Sequence, residues 1–308
     1  MTATVRGQAE LSCYTANLAA YLAADEPEVW WRLAEAVRLR VRPHAGGGLI
    51  FSHHARIDRG ELAYAGAAEW AECATALRDE LTSRGRVLAV ANTGYLPWAP
   101  GSSGGGAPHW VLVTENADGA WHVVDEFAAL LPTGEQHPQD VWLTDDELRR
   151  IMTPVHSPSE AVRNRDAHAL GEQVSLPPYE HYRWLTRTAT PVGASREWPG
   201  DTVSALDEIA ENISGGTESL AAHIEDVWAA ARHHRFQLTA FVSAGLLAAE
   251  QAQPALDAWG ELPRSLRFAL DSARRARPRP GLVTKTFAHL TEVTRELISQ
   301  APQAFWRG

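Results

Sequence analysis

The paired stretches His109-Trp110-Val111-Leu112-Val113-Thr114 and Ala120-Trp121-His122-Val123-Val124-Asp125 decide how this chain is read. Both are rich in aromatic and β-branched residues and flank the turn sequence Asn116-Ala117-Asp118-Gly119, so they predict a β-hairpin. Which side chains share a face depends on the turn. With a three-residue loop ending on a left-handed Gly119, residue 116 faces 120, His109 stands opposite Phe127, and Asp125 lies diagonally on the same face. With a two-residue Asp118-Gly119 turn, 117 faces 120 and the parity breaks, sending His109 and Asp125 to opposite faces. A His–Asp pair on one face is therefore expected with the longer loop.

Upstream, Ser12-Cys13-Tyr14-Thr15-Ala16-Asn17-Leu18 reads as the start of a helix, with Ser12 as cap and Cys13 in the first turn. Unpaired N–H groups and the helix dipole favour negative charge there, which suits a thiol that must act as a thiolate. A thiolate nucleophile also needs an imidazole partner, and that ring needs an acceptor on its far nitrogen to fix its tautomer. His109 and Asp125 meet these requirements in residue type and order, which makes Cys13, His109 and Asp125 the candidate catalytic set. Gln8, five positions before Cys13, offers a side-chain amide that would help the Cys13 backbone N–H hold an oxyanion.

Composition sets outer bounds. The chain has 308 residues, 45% of them hydrophobic, which is enough for one large or two smaller packed domains. Two cysteines in that length make no disulfide framework, so a reducing cytoplasm is the expected compartment, and Cys73 reads as packing within a helix. The N-terminal residues lack a basic region followed by an apolar stretch, and no apolar run is long enough for a membrane span. A net charge of −10 argues against binding by neutralising nucleic-acid phosphates. The exposed-looking run Arg274, Arg275, Arg277 and Arg279 reads as a solvated helix end.

Along the chain, Gly46-Gly47-Gly48 opens the apolar strand Leu49-Ile50-Phe51, and with no Lys-Ser/Thr following, it is not a phosphate loop. Trp70 to Ser83 reads as a helix stopped by Gly85, Val87-Leu88-Ala89-Val90 as a buried strand, and Thr144-Asp145-Asp146-Glu147 as a capping box for a helix through Met152. The Pro/Gly/Ser stretch from Tyr95 through Trp98 to Pro108 ends at His109 and reads as a substrate-contacting loop. Tyr95, Trp98 and Trp110 are the expected substrate contacts, as walls of an aromatic cleft. Residues 1–155 form the expected catalytic domain, 156–200 a linker or irregular extension, and 201–308 a helical domain. Metal binding is not expected: His53 and His54 would point to opposite faces of a strand, and His233-His234 are expected to face solvent.

The set Leu11 to Leu18, Gly46 to Phe51, Val87 to Val90 leading to Tyr95-Leu96-Pro97-Trp98, His109 to Val113 and Val123-Val124-Asp125 resembles the N-terminal domain of the butirosin biosynthesis protein H-like family, itself similar to papain-like and bacteriocin-processing (C39-type) cysteine peptidases. The stretch around Gly216-Thr217-Glu218-Ser219-Leu220 resembles the helical region that follows that domain. The resemblance implies an α+β papain-like fold, with N-terminal helices packed on an antiparallel sheet and a C-terminal helical region. It also implies acyl transfer: Cys13 takes an acyl group from the phosphopantetheine arm of an acyl or peptidyl carrier protein, and a small-molecule amine accepts it as an amide in natural-product assembly. His109 would be the base and Asp125 its orienting acid, with no cofactor of the protein's own. A thioesterase or amide hydrolase with the same three residues is the enzymatic alternative, and a non-catalytic papain-like scaffold is the other. Tyr14, in place of the small residue that often follows the nucleophile in the peptidases, disfavours a plain protease.

Overall fold

The structure is a computed structural model that describes residues 11–101, 106–131, 133–188 and 198–300. In chain order, α1 (Cys13–Ala23) begins at Ser12, whose hydroxyl accepts from Thr15 N, so the capping side chain fixes the helix start. α2 (Val29–Ala36) runs into β1 (Val37–Pro43), and Gly47 and Gly48, both at positive φ, turn the chain into β2 (Leu49–His54). Then come β3 (Leu62–Ala67) and α3 (Trp70–Arg84), which ends on left-handed Gly85. β4 (Val87–Asn92), β5 (Pro108–Ala117), β6 (Ala120–Asp125), β7 (Ala129–Leu131), β8 (Gly134–Gln136) and β9 (Gln139–Thr144) follow. α4 (Asp145–Ile151) starts with both bonds of the Thr144/Glu147 capping box formed. After α5 (Glu160–Ala167) and β10 (Tyr182–Arg187) come the long helices α6 (Thr202–Ser214), α7 (Thr217–Ser243), α8 (Ala249–Arg274) and α9 (Pro280–Gln300). The fold class is α+β with antiparallel sheets. Among the described residues no helix is long and apolar enough to cross a membrane.

The chain divides into two compact units. Among the described residues the sheet unit comprises 11–29 and stretches between 58 and 188, and is built on a six-stranded antiparallel sheet of order β3-β10-β4-β5-β6-β9, with β7 and β8 as a separate hairpin. Its core sets Val87, Ala89, Val111, Val113, Trp121 and Val123 of the sheet with Cys73 and Leu77 of α3 and Leu148 and Ile151 of α4. Each fully buried aliphatic side chain in such a layer contributes about 1.5–3 kcal/mol relative to exposure. α1 packs on β5 and β4, which brings its N-terminal turn to the His109 end of β5.

Among the described residues the helical unit comprises 30–57 and 198–300, so the β1–β2 hairpin belongs to the helices and not to the sheet unit. The reason is visible in its contacts: Gln237 of α7 donates to Ala34 O (2.9 Å) and Val37 O (3.3 Å), Leu49 N donates to His223 Nε2 (3.2 Å), and Trp30 and Trp31 meet Phe236 and Phe241. This corrects the expectation of a continuous 1–155 domain followed by helices from 201. Residues 156–200 are corrected too: they contain α5 and β10, and β10 is an inner strand, pairing β3 on one side and β4 on the other. Deep in the sheet unit, Arg183 of β10 forms an ion pair with Asp166 (2.6 Å), and Tyr64 donates to the same carboxylate (2.8 Å).

His233 and His234 are buried, contrary to the solvent-facing expectation. The His233 ring lies over His53 (5.6 Å, nearly parallel) and against His54 (5.9 Å), so the two adjacent strand histidines approach one ring and do not diverge. An irregularity in the β1–β2 ladder between Val37 and Arg40, opposite this pair, accompanies the departure from simple alternation. Burial, aided by the neighbouring histidines, pushes His233 well below the ordinary histidine range and His234 down to about 3, which keeps both rings neutral. Among the described residues no group of three or more His, Cys, Asp or Glu is arranged to hold a metal ion.

Candidate active site

The hairpin that carries the candidate pair resolves the parity question in an unexpected way. Asp118 and Gly119 are both left-handed (φ 52° and 79°) and Ala117 pairs with Ala120, so the turn is the short two-residue one. On that turn alone His109 and Asp125 would part. A β-bulge at Thr114 corrects the count: Glu115 faces His122, but Val113 faces Val123 and Leu112 faces Val124. Extended by three residues beyond Leu112 and Val124, this register sets His109 opposite Phe127, and their rings meet edge to face at 5.5 Å. The dependence on a longer loop is thus corrected, because the extra residue sits in the strand and not in the turn. Thr114 itself bonds His122 Nδ1 (2.6 Å).

The result is a buried pair in which His109 Nε2 lies 2.8 Å from Asp125 Oδ2. With that nitrogen engaged, Nδ1 is the one left for Cys13, which interacts with the ring from the first turn of α1. Burial disfavours the charged ring, but the Asp125 carboxylate and the Cys13 sulfur, each also hydrogen-bonded to it, outweigh burial and hold His109 well above the ordinary histidine range. Burial likewise works against ionisation of Asp125, and is overcome by the His109 charge and by bonds from His109, Asn17 and Trp98, so the carboxyl sits below its usual range. Cys13 is partly exposed; Cys73 is buried, and burial pushes its thiol up to about 12. Cys13 has an imidazole beside it and an open side, and Cys73 has neither.

Asp125 is surrounded by donors. Oδ2 accepts from His109, from Trp98 Nε1 (2.9 Å) and from Gln136 Nε2 (3.2 Å), while Oδ1 accepts from Asn17 Nδ2 (3.0 Å) and Phe127 N (3.0 Å). Asn17 and Gln136 did not figure as site residues in the sequence reading. Asn17 carried a signal: a polar residue of poor helix propensity, one turn after Cys13, inside an otherwise apolar helix. Gln136 lies on a three-residue strand with no pattern to read.

The expected substrate contacts separate. Trp98 is half-buried and directs its indole N–H at Asp125, so it holds the acid. Tyr95, on the same loop, is 43% exposed and bonds nothing in the site beyond its backbone turn to Asn92 O. That loop is closed at its base by Thr93 and Ala107 and by an approach so close that a Cβ on Gly106 would overlap the Asn92 side-chain oxygen. Trp110 has no exposed surface: its ring is clamped edge-on by Tyr14 (5.0 Å) and Tyr64 (6.0 Å), so it supports the site from within and does not wall an open cleft. Burial, then electrostatic interaction with Asp166 and Cys13, holds the Tyr14 phenol well above its usual range, hence neutral. Gln8 lies outside the described residues.

The arrangement can do nucleophilic chemistry: a sulfur at a helix N-terminus, a ring able to take and return a proton, and an acid fixed as an anion. Compared with known proteins, the chain matches no family model and no curated protein.

Proposed function

We propose that the protein is a cysteine-dependent acyltransferase whose nucleophile, base and orienting acid are Cys13, His109 and Asp125. The observation that carries the reading is the buried His109 ring, bonded through Nε2 to Asp125 and facing Cys13 with its other side. A nucleophile-bearing helix laid on an antiparallel sheet whose adjacent strands supply the base and the acid supports a papain-like reading of the sheet unit.

In the proposed cycle the Cys13 sulfur attacks the carbonyl carbon of a carrier-bound thioester. The pantetheine sulfur leaves and takes its proton from His109, which gives an acyl-Cys13 thioester. An amine then attacks the same carbon, His109 removes the amine proton, the amide forms, and Cys13 departs as thiolate. The Cys13 backbone N–H, among the first-turn amides that have no acceptor inside a helix, would receive the developing oxyanion. The donor is an acyl or peptidyl carrier protein and the acceptor a small-molecule amine, in natural-product assembly in the cytoplasm.

The test is incubation with an acylated carrier protein, with and without amines, followed by mass spectrometry. The proposal expects an acyl adduct on Cys13 and amide product only when amine is present. Free acid formed at the same rate regardless of amine would replace it with a hydrolase; neither adduct nor turnover, with Cys13 intact, would leave a binding scaffold.

A further inference from the structure

We propose that Asn17 is a positioning residue of this site, whose carboxamide locks the Asp125 carboxylate to the helix bearing Cys13 and so aims the second carboxylate oxygen at His109. The inference rests on the nucleophilic reading of Cys13 and adds to it the part that sets the geometry.

Asn17 is fully buried, and it ties three segments together. Its Nδ2 donates to Cys13 O in its own helix (3.1 Å), to Trp110 O in β5 (2.8 Å) and to Asp125 Oδ1 (3.0 Å); its Oδ1 accepts from Glu126 N (3.0 Å). Only one orientation of the amide satisfies this set, since three partners are acceptors and the fourth is a donor. The residue therefore links the nucleophile's helix, the strand of the base and the chain just after the acid. Asp125 has two freedoms, rotation of its carboxylate and movement of its strand end, and the Asn17 bonds restrain both. Phe127 N shares Oδ1, while His109, Trp98 and Gln136 share Oδ2. A packing residue such as leucine would fill the space but remove the bonds to three backbone groups and release the carboxylate.

The charged and titratable groups about this point include Cys13, His109 and Asp125 at the site, Glu126, whose N bonds the amide, and Tyr14 behind it with Asp166, Arg165 and Arg183. An aspartate at 17 makes an informative probe, because two carboxylates about 3 Å apart cannot both ionise. While protonated, the new carboxyl can still donate to Asp125; once it loses its proton the donor is gone and the two anions repel.

The experiment measures iodoacetamide alkylation of Cys13 and the titration of the His109 ring by nitrogen NMR in the full-length wild type, Asn17→Ala and Asn17→Asp. Asn17→Ala should alkylate at least ~10-fold more slowly at about pH 6, with His109 titrating at lower pH, as expected when an imidazole loses its anionic partner. Asn17→Asp, whose single carboxyl proton can replace only the bond to Asp125, should come closest to the wild type at low pH and then lose reactivity as pH rises, the reverse of ordinary thiol behaviour and not an effect that mere packing produces. Folded variants that follow the wild-type profile would overturn the assignment. Should neither variant fold, the wild-type Asn17 side-chain amide resonances serve instead: they should shift with the His109 titration, and invariance would overturn the proposal. A wild-type Cys13 no more reactive at about pH 6 than a free peptide thiol would instead defeat the nucleophilic reading itself.

Discussion

Replacing Asp125 by asparagine changes one atom's chemistry and keeps the shape, which isolates what the charge does. Five donors converge on the carboxylate, two on Oδ1 and three on Oδ2. An amide presents a single acceptor, so its NH2 must face donors on one side whichever way it turns. The less damaging orientation directs NH2 at Asn17 and Phe127 N and keeps the oxygen toward His109. Hydrogen bonds to a charged group are worth about 1.5–3 kcal/mol each, so the two lost bonds alone should cost about 3–6 kcal/mol. That is a large part of the ~5–15 kcal/mol typical of a domain. The assay is urea unfolding across pH together with Cys13 alkylation at about pH 6. Because the folded carboxyl binds its proton less readily than the unfolded one, its contribution is full above the ordinary aspartate range and is lost as pH falls through the folded value. Asp125→Asn should therefore be less stable near neutrality, lack that acid limb, and alkylate slowly. A loss below ~1 kcal/mol with Cys13 reactivity unchanged would refute the donor-shell argument.

Deleting Thr114 should leave Cys13 reactivity within a few-fold of wild type, since removing the bulged residue gives a regular ladder with Val113 still facing Val123; at most the His122 bond, about 1 kcal/mol, is lost. A folded deletion variant with an inert Cys13 would contradict that register. In the helical unit, His234 is held neutral to about pH 3 while the unfolded ring protonates near 6.5, so unfolding takes up a proton below 6.5 and stability should fall by about 2 kcal/mol between pH 7 and 5. His233 adds to the same trend, and His234→Phe should flatten the acid limb in denaturant titrations. Arg183→Met leaves Asp166 buried without its cation and should destabilise the sheet unit by about 3–5 kcal/mol, measured by urea unfolding, with Asp166→Leu in the same chain recovering most of the loss.

Local features were legible in the sequence where the signal is local. Ser12 caps α1, Gly85 ends α3 and the Thr144/Glu147 box starts α4, each through a side chain or glycine acting within three or four residues. The two strands carrying His109 and Asp125 read clearly because their β-branched and aromatic content is high. The bulge did not, since an extra residue in a ladder leaves no compositional mark and Thr114 fits a regular strand equally well. β10 was hidden because Arg183 and Arg187 interrupt the pattern; their charges are answered by Asp166, Asp25 and Glu61, residues remote in sequence. His233 and His234 looked like surface residues for the same reason: what covers them includes β2, nearly two hundred positions earlier. The donor shell of Asp125 draws on α1, the loop before β5 and β8, a convergence only tertiary structure reveals.

The measurement that bears most directly on the account is the pH dependence of iodoacetamide labelling at Cys13 and Cys73 in the same sample, resolved by peptide mass spectrometry. The buried Cys73 thiol, pushed up to about 12, is an internal reference that should stay unlabelled from about pH 5 to 9. The account predicts that Cys13 labels rapidly at about pH 6 in the native protein and that His109→Ala abolishes this advantage. Cys13 labelling at pH 6 as slowly as an ordinary free thiol, and unaffected by His109→Ala, would contradict it.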